Sequence, residues 1–173
     1  YENIIVVISY NSNIDKAYQY LLIFLAFLLP LTVAGGNILM GLIVILWLFS
    51  GGYKEKFNQI RSNKLAVASL IFFAVHVLGL LWTSDMTWGL HIVRKMQDFF
   101  IYLPILLTIT KKENIKHYIS AFLLAITITE VLSYLVWLEV IPAFKNATIE
   151  NPTPFMSHIS YNPILAFSIY LVS

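Results

Sequence analysis

Residues 118–140 read YISAFLLAITITEVLSYLVWLEV, 23 positions without a Lys or Arg and with only two acids, Glu130 and Glu139. An α-helix advances about 1.5 Å per residue, so about 20 apolar residues carry it across the hydrocarbon of a bilayer. This stretch is expected to do that as a helix, the form in which a segment satisfies its own backbone donors and acceptors in lipid. The composition of the whole chain agrees. Of its 173 residues 59% are hydrophobic and 12% charged, against about 45–50% and about 25% in soluble domains. A water-soluble domain must cover itself with more polar side chains than that.

Outward from this stretch the same pattern recurs. Ala17–Val33, Ile38–Phe49, Leu65–Trp82 and Phe99–Ile109 are apolar runs upstream, and a sixth begins at Tyr161. The expected fold class is therefore all-α, a polytopic transmembrane helical bundle of about six spanning segments. Pro30 is expected to kink the first run, and Gly35-Gly36-Asn37 signals a turn before a second helix that takes in those residues. Phe99–Ile109, which contains Pro104, is expected to join the amphipathic segment Thr83–Asp98 to reach spanning length. Ile4–Ile8 is β-branched and reads as a strand or an interfacial piece. The expected organisation is an N-terminal segment over residues 1–16, cytoplasmic or interfacial, and a membrane region over residues 17–173. Asn162–Ser173 stops after 12 residues without a polar flank, so the chain is expected to be the N-terminal half of a larger membrane domain, truncated inside a helix.

Lys and Arg are retained on the cytoplasmic side of membrane proteins. With the N-terminus inside, the inner segments hold Lys16, Lys54, Lys56, Arg61, Lys64, Lys111, Lys112 and Lys116, eight in all, and the outer ones hold Arg94, Lys95 and Lys145, three. The reverse orientation inverts the count, so a cytoplasmic N-terminus is expected. Trp82, Trp88 and Trp137 then fall near the outer interface and Trp47 near the inner one, as an aromatic belt does.

Net charge is only +2 and no basic stripe is present, which argues against a nucleic-acid partner. There is no Cys, which excludes disulfides, thiolate metal sites and thiol catalysis. The four His are scattered and none has a second His one turn away, so neither a metal nor a cofactor is expected. No Walker loop, GxGxxG or GxSxG occurs.

Four residues stand out as candidates for binding. Arg94 and Lys95 break the charge bias by lying on the outer side. With Ser84 or Asp85 as N-cap, His91, Arg94 and Asp98 fall at i, i+3 and i+7 on one helix face. Arg offers a planar fork of donors suited to phosphate oxygens and Lys a point charge; the plainer alternative is an Arg94–Asp98 ion pair with Lys95 snorkelling to headgroups. Glu130 lies deep in the 118–140 span, where an ionisable group is expensive and faces a bundle interior or a wet cavity. Ser133 and Tyr134, one turn on, are expected as its partners. It either lines an externally open cavity or is a protonated acid bonded to a neighbouring helix. His158 precedes Pro163, which is expected in the first turn of the last helix, where its missing donor costs nothing. Free amides there attract anions, and His158 is either a phosphate contact or a headgroup-zone residue beside a Ser157 or Ser160 cap. His76, in the middle of the third run, reads as a bonded packing residue more readily than as a ligand.

Three stretches carry a resemblance: Leu81-Trp82-Thr83-Ser84-Asp85 with His91-Ile92-Val93-Arg94-Lys95; the proline-bearing run Phe99 to Leu107; and Pro152-Thr153-Pro154-Phe155-Met156-Ser157-His158-Ile159-Ser160-Tyr161-Asn162-Pro163 leading into Leu165-Ala166-Phe167. Together they resemble the N-terminal half of the bacterial O-antigen ligase family, over roughly Ala17 to Ser173. The resemblance implies an inner-membrane glycosyltransferase that moves a finished glycan from undecaprenyl diphosphate to lipid A–core or a similar acceptor on the periplasmic face, without metal or nucleotide. It also implies that the essential arginines and histidine lie mostly beyond Ser173, so no catalytic residue carries over to this sequence. Arg94, Lys95, His158 and Glu130 are the substrate-binding candidates. The competing readings are an O-antigen polymerase, and a transporter or non-catalytic membrane subunit with Glu130 and His76 on a path.

Overall fold

A computed structural model describes the backbone of residues 2–173 and the side chains of residues 13–157 and 159–173. The chain is all-helical: 76% of it is helix, and no strand occurs among the described residues. The helices are α1 (Glu2–Leu28), α2 (Val33–Phe49), α3 (Tyr53–Ser62), α4 (Lys64–Gly79), α5 (Met86–Lys95), α6 (Gln97–Phe100), α7 (Tyr102–Ile109), α8 (Ile115–Trp137) and α9 (His158–Val172), with a 3-10 turn at Lys112–Asn114 leading into α8. The backbone of Ile4–Ile8 is helical rather than a strand.

Among the described residues one helix is long and apolar enough to cross a membrane, Lys112–Trp137, with 26 residues and a mean hydropathy of 2.0. The pair α2 and α3 passes the same test together but is bent by 120°. Lys64–Gly79, Gln97–Ile109 and Ile159–Val172 are apolar and shorter, at 10–17 residues.

Local chemistry explains the breaks. Pro30 does not kink a helix; it ends one. α1 stops at Leu28, whose carbonyl accepts from Leu31 N and Thr32 N at 2.9 Å. Thr32 Oγ1 then accepts from Gly35 N at 3.2 Å and starts α2. The turn expected at Gly35–Asn37 therefore sits upstream, and the glycines lie inside α2, as does Asn37. A Cβ on Gly35 would meet Thr32 Cγ2 at 2.6 Å, so glycine makes room for that cap. The bend after α2 uses Gly51 and Gly52, both left-handed with φ of 66° and 65°, a region that glycine enters without a steric penalty. Lys56 folds back from α3 and donates to Trp47 O at 2.6 Å and Ser50 Oγ at 2.7 Å, closing the end of α2 with a cation. Partial burial lowers the affinity of its ammonium for the proton.

The expected fusion of Thr83–Asp98 with Phe99–Ile109 into one span does not occur. The helix ends at Met96 and again at Ile101, giving α5, α6 and α7. Pro104 is the reason for the second break: it has no N–H to give the Phe100 carbonyl, and its ring crowds that group.

Two compact units result. One is built mainly on residues 43–110, where α4, α6 and α7 pack with α3. The other comprises residues 15–42 and 111–173. In the second, Lys111 pairs with Asp15 at 2.8 Å, Gln19 accepts from Asn114 at 3.0 Å and also from Tyr118, and α8 packs against α9.

Candidate functional site

The site is built on one face of α8. Its buried residues are Ala125, Ile126, Thr129, Ser133 and Val136; apart from the adjacent pair Ala125 and Ile126 they follow one another at steps of three or four and form one stripe. Three of them are small, and small residues at four-residue spacing let a second helix approach closely. α9 takes that place. Ile126, Met156 and Tyr161 form the buried centre, with Phe122, Ile164 and Leu165 packed around it, and Phe122 meets Phe167 edge-on at 6.0 Å.

The segment between the helices is irregular but tied to itself. Thr148 N donates to Asn151 O at 2.9 Å, and Asn151 N returns a bond to Thr148 Oγ1 at 3.0 Å. Asn146 N reaches Pro154 O at 3.3 Å, Phe144 meets Phe155 edge-on at 6.1 Å, and the Lys145 ammonium lies 4.5 Å from the Phe155 ring. These ties hold Ile149 and Glu150 at the tip of the segment.

A cavity of about 480 Å³ lies between this segment, the second half of α8 and the start of α9. That volume is in the range of small-molecule sites. Its wall includes Glu130, Tyr134 and Trp137 of α8, Glu150 of the segment, and Tyr161 and Asn162 of α9. No Lys, Arg or His lines it among the described residues. Glu130 lines this cavity and stands beside Tyr161 of the neighbouring helix. Of its expected partners, Ser133 Oγ donates to Thr129 O at 2.8 Å and the Tyr134 ring meets Trp137 edge-on at 6.5 Å; both residues line the same cavity.

Tyr161 is the residue that sequence reasoning missed. It is 1% exposed, and its hydroxyl makes no hydrogen bond of normal geometry. Glu130 and Thr129 are the polar side chains that flank it; Thr129 Oγ1 donates to Ala125 O at 2.9 Å and keeps its capacity to accept. Tyr161 lines the cavity, while its hydroxyl oxygen is fully buried.

Arg94, Lys95 and His76 do not line this cavity. Arg94 and Lys95 end α5 in the other unit, both exposed. Asp85 is the N-cap of that helix, its carboxylate accepting from Trp88 N at 3.0 Å. The single face expected for His91, Arg94 and Asp98 is lost, because α5 stops at Met96 and Asp98 belongs to α6. The Arg94–Asp98 ion pair of the plainer reading is not formed among the described residues. His91 stacks on Trp88 at 5.3 Å instead. His76 Nδ1 bonds to Phe72 O of its own helix at 2.9 Å, and the two rings sit 4.5 Å apart, the arrangement of a packing residue. His158 opens α9, and its side chain lies outside the described residues. Ser157 is the N-cap, with Ser160 N and Tyr161 N on its carbonyl at 3.0 and 2.9 Å. Pro163 is the sixth residue of α9 and not in its first turn, so the Ile159 carbonyl loses its helical donor. Among the described residues no three His, Asp or Glu gather as metal ligands.

Compared with protein families, curated proteins and solved structures, the chain matches none.

Proposed function

We propose that this protein works in the bacterial inner membrane as a multi-pass glycosyltransferase of the O-antigen ligase type, with a cytoplasmic N-terminus, transferring a glycan from undecaprenyl diphosphate to lipid A–core or a similar acceptor at the periplasmic face. One observation carries the reading. The stretch Pro152 to Pro163, the strongest element of the resemblance, is a wall of the cavity that Glu130 faces, supplying Pro152, Thr153, Tyr161 and Asn162. A membrane setting is supported by Lys112–Trp137, of whose apolar window only 28% is buried, and by large apolar side chains left exposed elsewhere, among them Phe49 at 81% and Trp82 at 78%. Exposed apolar surface on that scale calls for lipid or a partner.

In this reading the cavity holds part of the acceptor, and Glu130 binds its polar groups. The acceptor hydroxyl gives its proton to a general base as its oxygen attacks the anomeric carbon, the bond to diphosphate breaks, and the leaving diphosphate keeps the electron pair. Cations stabilise that charge as it develops. Deleting the gene in its host and separating lipopolysaccharide on a gel tests the reading. The expected result is core without glycan, while long lipid-linked glycan accumulates. Single repeat units on core would assign polymerisation instead, and an unchanged pattern would overturn the transferase.

A further inference from the structure

We propose that α3 lies in the surface of the bilayer and that the groove beside it holds an anionic phospholipid. The inference uses the membrane setting of the proposed function and none of its transfer chemistry. Residues 53–64 carry Lys54, Lys56, Arg61 and Lys64 against a single acid, Glu55. Tyr53, Phe57 and Ile60 follow one another at i, i+4 and i+7 and so share one face of α3. With about 3.6 residues per turn, Lys56 borders that face on one side and Lys54 and Arg61 on the other, while Glu55 falls on the back. A helix with cations bordering an apolar face lies along a bilayer, its rings among the acyl chains and its cations at the headgroups. The face is open to receive lipid: no residue of α3 is buried, and Tyr53 and Phe57 are 56% and 66% exposed. The bend is an independent argument. α3 turns 120° from α2, so with α2 upright in the bilayer α3 lies much closer to the membrane plane than to its normal.

The groove measures about 550 Å³ and is lined by Trp47, Tyr53, Phe57 and Ile60 together with Lys54 and Asn58. Its rings are fixed by bonds within the unit. Trp47 Nε1 donates to Thr108 Oγ1 at 2.9 Å, and the Tyr53 hydroxyl donates to Leu48 O. The Lys56 ammonium lies over both rings, 4.5 Å from that of Trp47 and 5.4 Å from that of Tyr53, and is spent on the end of α2. Lys54 is the cation at the groove. Among the described residues neither it nor Arg61 forms an ion pair, and no acid lines the groove. An acyl chain suits the carbon of Trp47, Phe57 and Ile60, and a phosphodiester suits Lys54, a point charge with three donors. A zwitterionic headgroup would bring a cation of its own to a basic helix, so the fit is to a net negative one. A soluble anion would leave the exposed rings in water.

The test is native mass spectrometry on the protein as its host makes it, in detergent, titrated with phosphatidylglycerol and with phosphatidylcholine of the same acyl chains. Phosphatidylglycerol is expected to bind about tenfold more tightly. Lys54→Gln should weaken phosphatidylglycerol about fivefold and leave phosphatidylcholine unchanged, since each basic residue at an anionic surface contributes roughly that factor. Arg61→Gln, also at an exposed position, repeats the comparison if the first variant folds poorly. Phe57→Ser should weaken both lipids alike, which a purely electrostatic patch would not do. Equal binding of the two lipids, a preference that survives Lys54→Gln combined with Arg61→Gln, or unchanged binding in Phe57→Ser would overturn the proposal and leave the exposed rings to a protein partner. The gel assay of the deletion strain is read separately: a ligase phenotype without a lipid preference sinks this inference alone, and a lipid preference with an unchanged gel leaves it standing.

Discussion

Arg94 ends α5 exposed, with no carboxylate paired to it among the described residues. Under the proposed function Arg94 recognises phosphate at the periplasmic face. Arg94→Ala and Arg94→Lys are both expected to reduce glycan transfer at unchanged expression, because lysine restores the charge but not the planar pair of donors. Normal transfer in both variants would remove Arg94 from the site. At Tyr161 the expectation concerns stability. Its hydroxyl makes no hydrogen bond of normal geometry, so Tyr161→Phe should hold or raise the melting temperature, by the equivalent of up to about 1 kcal/mol. A loss larger than that would show that the hydroxyl is bonded in the resting protein, to Glu130 or Thr129.

The helices differ in how plainly the sequence announces them. α8 was legible because length and apolarity alone decide it; the expected span over 118–140 begins and ends three residues later than the helix. Its end shows what composition cannot reveal. Val140 N donates to Leu135 O at 2.9 Å and Glu139 N to Val136 O at 3.0 Å, with Glu139 left-handed at φ 57°. That is a Schellman motif, with glutamate where glycine is usual. Glu139→Gly is expected to raise stability by about 0.5–1 kcal/mol, since glycine enters that region without strain; a lower melting temperature would mean that the Glu139 side chain has a role of its own. The α5–α7 region was misread because apolarity is continuous through Phe99–Ile109, while a single ring at Pro104 decides the break. The cavity was half legible. Glu130 betrays itself as an acid inside an apolar run, and the small residues Ala125, Thr129 and Ser133 were a signal that its neighbouring face would receive a helix. That Tyr161 would be the residue received depends on the register of α9 against α8, which no local pattern encodes.

For the whole molecule the open question is which side of a membrane each polar segment occupies. One helix has spanning length among the described residues, and the bent α2–α3 pair and the shorter apolar helices leave several ways to thread the chain. The distribution of Lys and Arg chooses among them, because moving a positively charged loop across the inner membrane is resisted and the bias sets orientation. Under the proposed function it puts α3, which carries Lys54, Lys56 and Arg61, on the cytoplasmic side and the segment after α8 on the periplasmic side. These 173 residues hold no Cys, so a single introduced cysteine is the one thiol among them. Asn58→Cys on α3 and Asn146→Cys on the periplasmic segment both replace exposed residues. In intact spheroplasts a membrane-impermeant maleimide is expected to label Asn146→Cys at once and Asn58→Cys only after permeabilisation. The reverse pattern would invert the orientation and move Arg94, Lys95 and the cavity to the cytoplasmic side, where an undecaprenyl-linked glycan awaiting ligation is not presented. Equal labelling of both, in protein that leaves the membrane without detergent, would remove the bilayer from the account and leave the exposed apolar side chains to be covered by a protein partner.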